Sequence, residues 1–107
     1  MRQLVKLVRV NGLEYNPNRD PQVYRRVAGE PFRLQALLGG TGAARCSLLA
    51  ADGRALAATE VSAPGTFSHE LQYDRPGVHV VTLTVERGAE RFTQDLRLDV
   101  LEHAWVG

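Results

Sequence analysis

Apolar and polar residues alternate with a period of two through most of this chain, and that leaves little room for anything but β-structure. Phe32, Leu34, Ala36 and Leu38 alternate with Arg33, Gln35 and Leu37. Val81, Leu83 and Val85 alternate with Thr82, Thr84 and Glu86. Phe92, Leu96, Leu98 and Val100 share one parity, and Thr93, Asp95, Arg97 and Asp99 take the other. Successive strand side chains point to opposite faces, so each segment reads as a half-buried strand. No segment carries a capped 3.6-residue stripe. Residues 55–61 have helix-friendly composition, but they are too short to stand as a helix and follow a turn signal, so they read as a strand.

Turn dipeptides punctuate the alternation. Asn11-Gly12 follows the first strand, and Asp52-Gly53 separates two apolar runs as in a type I′ hairpin. Pro64-Gly65 and Pro76-Gly77 each precede a new strand, and Arg87-Gly88 closes the last hairpin. The predicted strands are 3–10, 22–27, 31–38, 44–50, 54–61, 66–73, 78–86 and 91–101. Short strands at this spacing predict an all-β antiparallel sandwich of seven to eight strands, with a small barrel as the alternative. A chain of 107 residues makes one domain, 1–107, with 102–107 as a tail.

Composition narrows the function classes. At 44% hydrophobic and 23% charged residues the chain has the makings of a core and is not disordered. A single cysteine excludes an internal disulfide and a Cys-based zinc site. The net charge of +1 supplies no global field for nucleic acid or a membrane surface. It hides a split, however: residues 1–35 carry a net +4 and residues 36–107 a net −3. Such polarity favours a protein partner or self-association over nucleic acid. Lys6 and Arg9 interrupt the apolar start, so residues 1–10 do not read as a signal peptide. No apolar run approaches the ~18 residues of a membrane span. The expected location is cytoplasmic, or secreted or periplasmic if the chain belongs to a larger protein.

Side chains able to do chemistry are few and scattered. Cys46 alternates with Leu48 and Ala50 and is expected in the core, with no local base to activate it. His79 shares parity with Val81 and Leu83, and is expected as a buried ring bonded to backbone near a strand corner. His69 and His103 lack metal-ligand spacing to it and to each other. A copper site would also need a Met in a late loop, and Met1 is the only Met. Asn16, Asn18 and Asp20 begin like a calcium loop, but Pro21 and Val27 stand where Gly and Glu are needed. Asx turns are the expectation there. Ser47, Ser62 and Ser68 lack a nucleophile-elbow context, and Gly39-Gly40-Thr41-Gly42 lacks the Lys of a phosphate loop. No cofactor, metal or catalytic constellation is predicted.

The stretch Pro76-Gly77-Val78-His79-Val80-Val81-Thr82-Leu83-Thr84-Val85 resembles the penultimate strand of bacterial immunoglobulin-like domains, PKD repeats in particular. There a Pro-Gly turn leads into an aromatic residue and then alternating Val and Leu. Gly29-Glu30-Pro31-Phe32-Arg33-Leu34 is similar to an early strand entry of the same class. The central Trp-Asp-Phe-Gly-Asp-Gly-type motif of PKD repeats is replaced here by residues 46–53. The resemblance implies an immunoglobulin-like β-sandwich and an adhesive or assembly role rather than catalysis. A fold of this kind does not itself settle function.

The expected function is therefore a non-catalytic binding or assembly module, acting through edge strands or end loops on a protein partner or on its own copies. The first strand, 3–10, is expected at an edge or exchanged between protomers. Tyr15, Arg19, Tyr24, Arg25, Arg26 and Trp105 are the candidate partner-binding residues, because Arg and aromatic side chains dominate interface energetics. The alternative is a carbohydrate- or small-ligand-binding accessory domain, which needs an aromatic platform on one sheet face.

Overall fold

The computed structural model describes residues 4–102. The alternation becomes strands: β1 (Val5–Val10), β2 (Leu13–Glu14), β3 (Arg26–Val27), β4 (Pro31–Ala50), β5 (Ala55–Gln72), β6 (Gly77–Arg87) and β7 (Glu90–Leu101). One turn of 3-10 helix, Pro21–Tyr24, precedes β3. The architecture is all-β, as the alternation requires. All seven strands belong to one hydrogen-bonded sheet, in the order β2-β1-β4-β6-β7-β3, with β5 on the other edge of β4. Every pairing is antiparallel except β3 with β7.

The sheet is open and curled, and β4 is the reason. Four separate strands predicted at 31–38, 44–50, 54–61 and 66–73 are two continuous ones. Residues 34–38 pair with β1 on one edge, and residues 45–50 pair with β6 on that same edge. β5 follows the other edge of β4 throughout. Between Leu38↔Gly65 and Gly42↔Ala63 the first strand advances four residues while its partner advances two. Such an imbalance is a bulge, and it bends the ribbon. The glycine run that lies between the predicted strands 31–38 and 44–50 is thus the bend inside a single strand.

Parity survives the bend. Phe32, Leu34, Ala36 and Leu38 are buried before it, and Ala44, Cys46 and Leu48 after it. One face of β4 therefore lines the core along both arms. Val8 and Val10 from β1, Phe67 from β5, Val81, Leu83 and Val85 from β6, and Leu96, Leu98 and Val100 from β7 also line that core, with Tyr24 beside them. Each such aliphatic or aromatic side chain contributes roughly 1.5–3 kcal/mol when fully buried. Phe92, predicted in the core on parity, is only partly buried and packs against it.

Two details hold the bend. Gly40 has φ +72°, and a Cβ there would lie 2.7 Å from Nη2 of Arg87. That guanidinium fills the space and donates from Nη1 to the carbonyl of Gly39 at 2.6 Å. On β5, a Cβ at Gly65 would lie 2.5 Å from the carbonyl oxygen of Ser62. The Pro64-Gly65 pair is thus a kink within β5, not a break between strands.

Two further expectations change. The predicted strand 22–27 is the 3-10 turn followed by the two residues of β3. The 51–53 loop is not type I′: among its residues only Gly53 has positive φ, +87°. The amide of Gly53 donates to the carbonyl of Ala50, and the amide of Ala50 to the carbonyl of Arg54. That is a type I turn closed by a glycine bulge.

Candidate interaction site

The predicted basic and aromatic cluster gathers around the 3-10 turn, but its tyrosines serve the fold. Tyr24 is 0% exposed. Its hydroxyl donates to the carbonyl of Glu14 at 2.8 Å and accepts from the amide of Asn16 at 3.0 Å. Burying a phenol requires such partners. Asn11, in a left-handed conformation at φ 55°, donates from Nδ2 to the carbonyl of Tyr24 and accepts at Oδ1 from the amide of Arg33. Tyr15 packs its ring 5.2 Å from that of Tyr24, and its hydroxyl accepts from the amide of Arg97. Tyr24 therefore offers a partner no surface, and Tyr15 only part of one. Arg19 and Arg25 are exposed and Arg26 is half-buried on the same flank. Trp105 lies outside the described residues.

The loop at 16–20 folds as an Asx turn, with the amide of Asn18 donating to Oδ1 of Asn16 at 2.9 Å. His79 stacks on Tyr73 with ring centroids 3.9 Å apart, and its Nε2 lies 3.0 Å from the carbonyl of Arg75. The expected backbone bond at the strand corner is present, but the ring is half-buried rather than enclosed. Burial raises the pKa of Tyr73 above its usual 10.0. Cys46 is fully buried as expected, and burial raises its thiol above 9.0. Phe32, Phe67 and Tyr24 are in the core, and Tyr73 is committed to Phe32 and His79. Among the described residues no helix is long and apolar enough to cross a membrane.

The outer face of the sheet is polar. Glu60, Arg45, Glu86 and Arg91 form one cross-strand row of alternating charge. Ser47, Thr84 and Thr93 form the next, with Thr84 itself buried at 3% exposure. Neither row makes an apolar docking face. Val78 and Val80 are exposed at 56% and 39% where β6 runs past the end of β4, beside a cavity of about 330 Å³ lined by Ala50, Arg54 and Tyr73. A second groove of about 420 Å³ runs beside Phe92 between β1 and β7.

The most extended unsatisfied feature is the outer edge of β5. This 18-residue strand pairs with β4 alone, so no described strand meets its other edge. A free edge presents a row of backbone donors and acceptors that can template another strand. β5 contains no Lys or Arg, the usual edge protection, and its charges are Glu60 and Glu70. Each sits opposite an arginine of β4, Arg45 and Arg33 respectively. Edge status is a property of topology and has no local sequence signal, so β5 was not singled out by its residues. The first strand, by contrast, pairs with β4 of its own chain from Val5 to Val10.

No protein-family model matches the chain, and no curated protein does.

Proposed function

We propose that the chain is an immunoglobulin-like, non-catalytic interaction module that binds polypeptide by strand addition along β5. The observation that carries this reading is the outer edge of the 18-residue β5, which no described strand meets. Main-chain hydrogen bonds supply affinity in such complexes, and alternate side chains supply selectivity.

Strand order supports the immunoglobulin-like part. Divided at the bends, the sheet reads as one layer of β1, 31–38 and 65–72 and another of 55–63, 42–50, β6 and β7. Three strands against four, all antiparallel, is the distribution of an immunoglobulin-type sandwich.

The test places a photo-crosslinking residue at Thr59 or Ser68 on β5, or at Thr93 or Arg97 on β7, in the full chain in its source cell. Polypeptide adducts concentrated at the β5 positions are expected. Adducts from β7 alone, or from none of the four, overturn the reading.

A further inference from the structure

Resting on that reading, we infer that the occupant of the β5 edge is a second copy of this chain, paired antiparallel about a two-fold axis at His69. The argument begins with the residues of the second arm of β5. Thr66-Phe67-Ser68-His69-Glu70-Leu71-Gln72 is symmetric in character about its centre. Phe67 is buried and Leu71 half-buried on the face that looks toward the core. Thr66, Ser68, Glu70 and Gln72 are exposed on the other face.

An antiparallel pair of identical strands about residue 69 keeps both faces in register. Phe67 then lies opposite Leu71 of the second copy, twice; Phe67 is already in its own core, so the gain is the apolar cover each half-buried Leu71 receives. Ser68 lies opposite Glu70, twice, which sets a hydroxyl donor beside a carboxylate acceptor. Thr66 lies opposite Gln72. His69 meets its own copy on the axis. The joined sheet would run β1-β4-β5-β5-β4-β1 without interruption.

Neighbouring two-fold registers fail on the same residues. An axis at Gly65 sets Glu60 opposite Glu70, and an axis at Glu60 or Glu70 sets that carboxylate opposite itself. Like charges directly opposite are destabilising. An axis at Phe67 brings Pro64, which has no amide hydrogen, into the ladder. An axis at Ser68 sets Leu71 against Gly65, which has no side chain to pack. In the first arm, an axis at Thr59 sets Leu56 opposite Ser62 and Glu60 opposite Ala58. The kink at Pro64-Gly65 confines the match to the second arm. A contact of seven residues a side falls in the weak class of interfaces, below about 1,200 Å². The dimer is therefore a concentration-dependent one.

Two experiments on the full chain test this. In the first, His69→Cys is oxidised mildly and run without reductant. Directly opposite residues of antiparallel strands have Cα atoms about 4.5–5.5 Å apart, within the range that a disulfide spans. Disulfide dimer is expected from His69→Cys and not from Ser68→Cys or Thr66→Cys, whose partners are offset. The native Cys46 is fully buried and does not compete. In the second, sedimentation velocity follows the wild type with rising concentration. Ser68→Glu, which faces Glu70 twice, is expected to raise the dimer dissociation constant, and Ser68→Lys to lower it, by roughly 2- to 30-fold each. Ser68 is exposed, so both variants should fold, and circular dichroism checks that.

Equal crosslinking at all three positions, or a dimer indifferent to both charge changes, overturns the two-fold pairing. So does a wild type that stays monomeric. If in that event the β5 photo-crosslinks are to a different polypeptide, strand addition stands and the second copy is the wrong occupant. If β5 yields no adduct either, both fail.

Discussion

The Arg87–Gly40 contact makes a quantitative prediction about what bends β4. Substituting Gly40→Ala has two separable costs. The first is conformational: φ is +72°, and a left-handed conformation costs a residue with a Cβ roughly 1–2 kcal/mol. The second is steric: the new Cβ would lie 2.7 Å from Nη2, 3.1 Å from Nη1 and 3.2 Å from Cζ of Arg87. The guanidinium is the far end of a flexible side chain, so it moves away rather than distorting the strand. Moving away breaks its 2.6 Å bond to the carbonyl of Gly39, a buried residue. Leaving a buried acceptor unpaired costs about 1–3 kcal/mol. Gly40→Ala should therefore cost about 2–5 kcal/mol in total, and Arg87→Ala about 1–3 kcal/mol by losing the same bond. The double variant should lose that bond once and not twice. It should be about 1–3 kcal/mol more stable than the sum of the single effects implies. The assay is urea or thermal unfolding of the four proteins. For a chain of this size 1 kcal/mol moves the melting temperature by about 4–5 °C, so the coupling is readily resolved. Strict additivity would refute the reasoning, because the two residues would then act on the bend independently.

Two further outcomes follow from buried side chains. Thr84 is 3% exposed, and its Oγ1 has no hydrogen-bond partner among the described residues. Thr84→Val keeps the shape and removes the stranded hydroxyl, so stability should be unchanged or rise by up to about 1–2 kcal/mol in a urea melt; a clear loss would show that the hydroxyl is bonded. Burial raises the thiol of Cys46 above 9.0. The unfolded chain then releases this proton first, so stability from this group is full below pH 9 and is lost as pH rises toward the folded value. Cys46→Ala should flatten the fall in unfolding free energy just above pH 9, and an unchanged slope would refute the assignment. A second fall belongs to Tyr73, from pH 10 upward, for the same reason.

What the sequence revealed and what it concealed divide along the range of the interactions. Inward parity was legible at Phe32 to Leu38, Ala44 to Leu48, Val81 to Val85 and Leu96 to Val100, because the pleat alone dictates it. Cys46 followed from the same rule. The continuity of β4 was not legible. Gly39-Gly40-Thr41-Gly42 reads as a connection when seen alone, and only the register with β5 on both sides makes it a bend. Tyr24 read as an interface residue because its burial depends on Glu14, Asn16 and Asn11, none of them adjacent to it in sequence. Phe92 obeys the parity of β7 but is only partly buried, beside the groove between β1 and β7. The free edge of β5 is a global property. Whether a strand has one neighbour or two depends on every other strand, and the residues of β5 carry no sign of it.

The unbroken β4–β5 ribbon also bears on how the chain reaches this structure. Its pairs run without a long gap from Leu49↔Ala55 beside the turn to Pro31↔Gln72 at the far end. Each pair can form next to one already made, so zipping from the turn closes no long loop and meets the entropy of bringing distant residues together in small increments. When the zipper passes the bend, both arms of the core-lining face are in place on one covalent hairpin. The pairing of β3 with β7 is the opposite case, since Arg26 must find Val100 across most of the chain.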